Sequence, residues 1–472
     1  MPKSILPPSY PQAVEALDAL FSYPVNFGIV RRTLSIGGSS AILYYAEALC
    51  DTAVNERVIA FCKESTDSPL PETAEAFCAE HISYTETEIS DDPSVLYNGC
   101  ITGCLLLLLS AYPMRGILIK ARNIPGRSPE EPEHDRVLRG AHIGFIEVLQ
   151  RNCAMLRRQL PTPSLVMKCI PVGSITHTNV VLCYLRGQAD EAYLSYLEQK
   201  LSQIRADDLC MGTQSLAECL VKKRVWNPFP RFRYTERPDA AAASLCEGSV
   251  ILLVDGAPQA MILPVSVFSF LQETNDFYLA PFTATYLRIV RLLSYLVSLY
   301  LTPVWYALVT HTPHLPQWMS FLAETKDSAV PILVQLLLIE ISVDMLKLAS
   351  MNTPNALANS LSVIGGLILG EFAVEVGWFM PQTILYTAIV SITHFTQHNY
   401  ELGYALKYVR IATLILTALC GWWGIGLGTA LLLILLITAP TPEDKRRYFY
   451  PLIPFDGAAL ASLFIRRRKE FP

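Results

Sequence analysis

Charge is scarce in this sequence, and the scarcity narrows the function classes open to it. Asp, Glu, Lys and Arg make up 17% of the 472 residues against 51% hydrophobic, and the formal net charge is only −5. A protein that holds nucleic acid needs clustered cations to neutralise phosphates. Here the basic residues of 222–237 are interleaved with prolines, so no nucleic-acid partner is expected. Cysteine patterning is missing too. The twelve cysteines are scattered, and the closest pair, Cys100 and Cys104, has neither a second pair nor a nearby histidine. That argues against a disulfide framework or a zinc site and for a reducing compartment. No G-x-S-x-G elbow, P-loop or dinucleotide fingerprint occurs, and Gly37-Gly38 reads as a turn, so no residue set carries a catalytic role. His394 and His398 have helical i, i+4 spacing without a Glu or third ligand beside them. Neither a metal nor a cofactor is expected. Residues 1–10 lack the apolar stretch of a signal peptide, so the charged half is expected to stay in the cytoplasm.

Long apolar runs are what the chain does have. Residues 286–309, 360–379, 383–395 and 405–438 hold more continuous apolar surface than a helix packed on a water-soluble core, which keeps one polar face. This part is expected to lie in lipid. It nevertheless carries charge: Glu340 and Asp344 stand at i, i+4 in 332–349 with Lys347 three further on, and Glu371 and Glu375 repeat the spacing in the next run. An ionised side chain at the bilayer centre costs roughly 2.5–3.5 kcal/mol, and such residues face a bundle interior or a watery path. The four carboxylates are therefore candidates for an ion path. A blander alternative pairs Asp344 with Lys347 on an interfacial helix. Gly366 with Gly370, and Gly424 with Gly428, form G-x-x-x-G steps of the kind that let helices approach closely in lipid. Lys445 to Arg447, a second cluster at 466–469, and Arg288 and Arg291 at the entry of the first run mark the cytoplasmic side. Both ends are then inside, with four to six crossings, depending on whether 332–349 crosses and whether 405–438 folds back at 421–426.

Ahead of the apolar half, strand and turn signals recur. Residues 27–35 and 41–46 read as a hairpin, 51–63 as a helix capped by Asp51 or Thr52, and 104–109 with 116–121 as a second hairpin in which 100–110 is a buried strand. The pattern repeats as a hairpin of 166–172 and 179–185, a helix at 191–204 and a hairpin of 248–254 and 260–264. The fold class expected is an α+β two-part soluble N-terminal region, a repeated β-hairpin and helix unit, followed by an all-α polytopic membrane domain. The expected divisions are an extension at 1–25, subdomains at 26–124 and 165–284 around a charged linker with a helix (144–160) at 125–164, a membrane domain at 285–440 and a basic tail at 441–472. Charged, proline-punctuated loops are where subunits commonly meet, which makes Arg136, Arg139, Arg233, Glu236, Arg237 and Asp239 candidates for subunit contacts.

The loop motifs are specific. Arg127-Ser-Pro-Glu-Glu-Pro with Arg136-Val-Leu-Arg-Gly, then Asn227-Pro-Phe-Pro-Arg-Phe-Arg-Tyr-Thr-Glu-Arg-Pro-Asp, resemble the bacterial spore germinant-receptor A-subunit (GerA) family. Val330-Pro-Ile, Gly365-Gly-Leu-Ile-Leu-Gly, Glu375-Val-Gly and Tyr400-Glu-Leu-Gly-Tyr-Ala follow in that family's order. The resemblance implies a multi-pass protein of the inner spore membrane with its soluble half and C-terminus in the spore core. It also implies a ring homo-oligomer, a pentamer, that releases cations early in germination alongside other germination membrane proteins. A non-conducting scaffold for those proteins is the alternative. Two positions depart from the family: Ala141-His142-Ile143 stands before Gly144-Phe145 where a charged pair is usual, and only Arg157 and Arg158 remain of a basic run.

Overall fold

This computed structural model describes residues 5–64, 70–82, 86–121, 140–207, 209–221, 227–273, 275–312, 322, 329–352, 363, 365–397, 399–439 and 448–464. The chain forms two compact units, Met1–Lys223 with Phe232–Val265, and Arg224–Arg231 with Ser266–Pro472.

The first unit is α+β and holds two five-stranded antiparallel sheets. Helix α1 (Tyr10–Phe21) leads into the hairpin β1 (Ile29–Ile36) and β2 (Ser39–Ala46), then α2 (Thr52–Glu64), α3 (Ala74–His81), β3 (Thr87–Ser90), α4 (Pro93–Ile101) and the hairpin β4 (Cys104–Leu109) and β5 (Gly116–Lys120). After α5 (Leu149–Gln159) come β6 (Leu165–Val172), β7 (Thr178–Leu185), α6 (Glu191–Gln203), α7 (Thr213–Leu220), β8 (Arg233–Thr235), α8 (Pro238–Cys246), β9 (Val250–Val254) and β10 (Ala260–Leu263). The strand orders are β1-β2-β4-β5-β3 and β6-β7-β9-β10-β8. One permutation is thus used twice. The halves of this unit are structural repeats.

Strands β4 and β9 are buried along their whole length because each sheet is covered on both faces. Alternate residues serve opposite sides. Leu106 and Leu108 pack with Tyr44 and Leu118 beneath α1 and α4, while Leu105 and Leu107 pack with Leu43, Ile117 and Ile119 beside Phe77 of α3. In the second sheet Leu252 and Val254 meet α6 and α7, and Ile251 and Leu253 meet α5 and α8.

Two boundaries differ from the sequence reading. Cys100 and Ile101 end α4, which Asp92 caps by accepting from Ser94 N at 2.8 Å, and Gly103 at φ +99 makes the turn into β4. Helix α5 starts at Leu149 rather than 144, because the buried Asn152 side chain accepts from Ile146 N at 2.9 Å and donates to its carbonyl at 2.5 Å, holding 146–148 out of the helix. Each sheet also has a short fifth strand, β3 or β8, that apolar patterning does not reveal. Asp51 does cap α2, accepting from Ala53 N at 2.8 Å. The two halves of this unit are clasped at Asn26, which is 4% exposed. Its amide donates to the Phe21 carbonyl at 3.1 Å, and its Oδ1 accepts from Met167 N at 3.0 Å and from Arg157 at 3.1 Å.

The second unit is helical: α9 (Asn275–Tyr278), α10 (Pro281–His311), α11 (Ile332–Met351), a π-turn (Ile368–Phe372) running into a helical turn (Ala373–Glu375), α12 (Pro381–Phe395), α13 (Tyr400–Cys420), α14 (Trp422–Ile437) and α15 (Gly457–Phe464). The run 405–438 breaks at Gly421, whose φ of +61 and ψ of −139 reverse the chain between α13 and α14. A Cβ at Gly424 would run into the Leu416 carbonyl, and one at Gly428 into Thr413. At Gly366 or Gly370 a Cβ would meet nothing within 4 Å. Two described helices, α10 and α13, are long and apolar enough to cross a membrane.

Candidate functional site

The helices of the second unit turn their polar faces inward. On α10, Arg288, Arg291, Ser294, Ser298 and Thr302 are buried at i+3 and i+4 steps, while Phe282, Tyr286, Ile289, Leu293 and Leu296 are exposed. On α13, Lys407, Arg410, Thr413 and Thr417 are buried while Tyr408, Ile415 and Leu419 are exposed. This is the reverse of a helix packed in water.

Ser298, Lys407 and Arg410 meet in one charged cluster. Arg410 donates to Glu340 Oε1 at 2.7 Å and to the Ser298 carbonyl at 2.7 Å. Lys407 Nζ lies 3.1 Å from Glu340 Oε2 and 2.6 Å from Asp344 Oδ2. Two carboxylates of α11 are thereby balanced by two cations of α13, with α10 supplying the last acceptor. That acceptor sits beside the Leu299 carbonyl, which Pro303 leaves without an i+4 donor. Asp344 thus takes Lys407 as its partner in the bonded cluster. Lys347 instead lies 5.9 Å from the Tyr404 ring centroid. Lys407 and Arg410 were missed from the sequence, although two cations three apart in an apolar helix are as legible as the carboxylates.

Glu371 and Glu375 differ from that pair. Both are exposed, and Glu371 lies in the π-turn, which follows the open Gly366 position and contains Gly370. π-turns inside helices are frequent at functional sites. Near the start of α10 a second cluster forms on Asp276, which is fully buried. It accepts from Arg288 Nε at 3.0 Å and from both Arg291 terminal nitrogens at 3.1 Å, and Glu273 binds Arg291 at 2.5 Å. These two arginines, expected as sidedness markers, are paired with carboxylates.

Of the candidates for subunit contacts, Arg136 and Arg139 lie outside the described residues. Arg237 is wholly buried and forks onto Asp239, with Nε to Oδ1 at 3.1 Å and Nη2 to Oδ2 at 2.6 Å. Its side chain therefore orders the start of α8 and cannot itself be presented to a neighbouring subunit. Glu236 accepts from Gln259 at 3.2 Å, its carbonyl accepts from Phe145 N at 2.7 Å, and Arg233 opens β8. Asp239 also lines a groove of about 310 Å³ with Ile143, Met155, Arg158 and Pro238.

The front of the same motif belongs to the helical unit. Asn227 donates to the Leu435 carbonyl at 2.7 Å, satisfying one of the unpaired acceptors at the end of α14, and accepts from Phe229 N at 3.1 Å. Tyr448, 1% exposed, donates to the Pro230 carbonyl at 3.1 Å.

A sequence model described as Bacillus/Clostridium GerA spore germination protein matches residues 15–471. The chain belongs to the GerA family. Among GerA relatives, Stage V sporulation protein AF of Bacillus subtilis (strain 168) is 33% identical over 455 residues, covering 94% of this chain and 90% of that protein. Spore germination protein GerQA of Bacillus cereus is 27% identical over 425 residues, covering 89% and 83%. The uncharacterized membrane protein YfkQ of Bacillus subtilis (strain 168) is 28% identical over 388 residues, covering 82% and 75%. Among solved structures, the N-terminal domain of the A subunit of the Bacillus megaterium spore germinant receptor GerK3 aligns with TM-score 0.43 and 21% identity, over 56% of this chain and 97% of that one. The GerA match spans both units, so the charged cluster and the Asn227 loop fall inside the family region.

Proposed function

We propose that this GerA chain is an integral membrane subunit of a spore germination complex, a homo-oligomer that passes cations, with a cytoplasmic α+β region for assembly and regulation. The inverted faces of α10 and α13 carry the membrane part: exposed Leu293, Leu296 and Leu419 suit acyl chains, and buried Arg288, Lys407 and Arg410 do not. At 1.5 Å per residue α10 is about 46 Å long and α13 about 31 Å, against a hydrocarbon core of about 30 Å. The name of the relative YfkQ points the same way. Placement of both ends on the cytoplasmic side, with four to six crossings, rests on Arg288 and Arg291 at the entry of α10 and on the basic clusters at 445–447 and 466–469.

For conduction the supporting feature is the exposed pair Glu371 and Glu375. Carboxylates repeated around a symmetry axis favour cations, and a pentamer is the arrangement the family resemblance implies. Glu340 and Asp344 join the path only at its edge, through the Asp344 side chain, which is 30% exposed. Planar-bilayer recordings of Glu371→Gln with Glu375→Gln are expected to show reduced conductance and weakened cation preference; unchanged currents would sink this reading. The neutralised state of Glu340 and Asp344 favours a second one, a non-conducting scaffold that holds other germination membrane proteins. Assembled protein in liposomes that shows no ion flux would select it.

A further inference from the structure

The connection between α12 and α13 holds polar side chains that the charged cluster does not use. His394, in the last turn of α12, and Gln397, in the connection, are 8% and 6% exposed. Neither His394 Nδ1 nor Gln397 Oε1 or Nε2 has a hydrogen-bond partner among the described residues. Together with Asn399, Tyr400 and Gly403 these two side chains line a cavity of about 40 Å³. Gly403 keeps that space open, because a Cβ there would stand 2.8 Å from Gln397 Oε1 and 2.8 Å from His394 Cε1. Asn399 is engaged elsewhere, its Oδ1 accepting from Leu402 N at 2.8 Å. Buried polar groups in folded proteins are paired, because leaving them dry and unpaired is costly.

We propose that this cavity is a binding site for ordered water. One water needs roughly 10–15 Å³, so the space suffices. The donor set selects the ligand. An amide presents one donor and one acceptor whichever way it is turned, and a neutral histidine nitrogen does one or the other. A bare cation would suit Gln397 Oε1 and oppose Nε2, an anion would do the reverse, and water serves both. Tyr404 stands between the site and Lys347: the His394 ring is edge-on to Tyr404 at 5.4 Å, and Lys347 lies 5.9 Å from that ring. Bound water makes the α12–α13 connection a hydrated joint within one subunit, whether or not the assembly conducts.

Millisecond X-ray hydroxyl-radical footprinting of the full-length protein in lipid nanodiscs tests this, because radicals form from the bound water itself. After correction for intrinsic reactivity, His394 is expected to be oxidised at least fivefold faster than the similarly buried Trp305. Gly403→Ala, which fills the cavity, should cut the His394 rate at least threefold. Gln397→Leu, which removes the amide without crowding the helix, should do the same if Gly403→Ala fails to fold. A His394 rate equal to that of Trp305, or one unmoved in both variants, overturns the assignment.

Discussion

The charged cluster makes a prediction that separates a structural pair from a carboxylate in a pore. Glu340, Asp344, Lys407 and Arg410 are bonded as a neutral set of two carboxylates and two cations. In Glu340→Gln the set carries one uncompensated positive charge. Lys407 keeps Asp344, but Arg410, 3% exposed, loses its carboxylate partner. Removing one partner of a buried pair costs about 3–5 kcal/mol. Because Gln retains an acceptor oxygen, the low end, about 3 kcal/mol, is expected. Adding Arg410→Met restores charge balance, since Lys407 and Asp344 remain paired. Residues in one network show coupling of about 0.5–3 kcal/mol, and here the double variant should recover about 2 kcal/mol of the loss. Denaturant titration in detergent, read by tryptophan fluorescence on both single variants and the double, supplies the cycle. A hydrated pore carboxylate would contribute little to folding. A cost for Glu340→Gln under about 1 kcal/mol, or a double variant equal to the sum of the singles, would refute the pairing argument.

Other substitutions probe the remaining features. Gly428→Leu should separate α13 from α14 and lower thermal stability of the isolated subunit, whereas Gly366→Ala and Gly370→Ala, at open positions, should leave it unchanged; scanning calorimetry distinguishes them. Asn26→Ala strands Met167 N–H and leaves the Arg157 guanidinium with the Phe27 carbonyl, so about 1–3 kcal/mol should be lost from the α+β unit by denaturant unfolding. Burial pushes the thiols of Cys50 and Cys153 up to about 12, and those of Cys100 and Cys183 well above the ordinary range. Ellman's reagent at pH 8 should therefore spare these four in the native chain while reacting with the exposed Cys210 and Cys246. Their raised values hold the proton in the folded state. Stability is then complete below about pH 8.5 and should fall as pH rises towards 12, by up to about 1.4 kcal/mol per pH unit for each thiol.

Where the sequence was legible, a strong local rule was at work. The hairpins around Gly37-Gly38 and 173–178 and the helix at 191–203 follow from β-branched and aromatic runs, glycine turns and the Asp190 cap, which accepts from Ala192 N at 2.9 Å. The repeat could be read because those signals recur in order. The fifth strands could not: Thr87–Ser90 and Arg233–Thr235 are short and only partly apolar, and exist because β5 and β10 offer an unpaired edge. The start of α5 is displaced by five residues, from 144 to 149, because a single buried side chain, Asn152, ties up the backbone of Ile146 and overrides local helix propensity.

The candidate site shows the same division between local and tertiary information. Spacing put Glu340 and Asp344 on one face of α11, and that face is the one turned to α13. What lies opposite is set by packing across 63 or more residues of chain, which no window along the sequence contains. A carboxylate in an apolar run is therefore ambiguous by nature, since a wet path and a cation on a neighbouring helix both relieve its desolvation. The structure resolves that ambiguity differently for the two pairs. Glu340 has the cation, and Glu371 and Glu375 have exposure. On the membrane assembly proposed above, exposure within one subunit is itself unstable ground for a charge, so the surface around Glu371 and Glu375 would need either water or another copy of the chain. Both answers require that surface to face away from acyl chains: Glu371→Cys should react with a membrane-impermeant maleimide while Leu419→Cys stays unlabelled, and equal protection of the two would mean lipid exposure at 371.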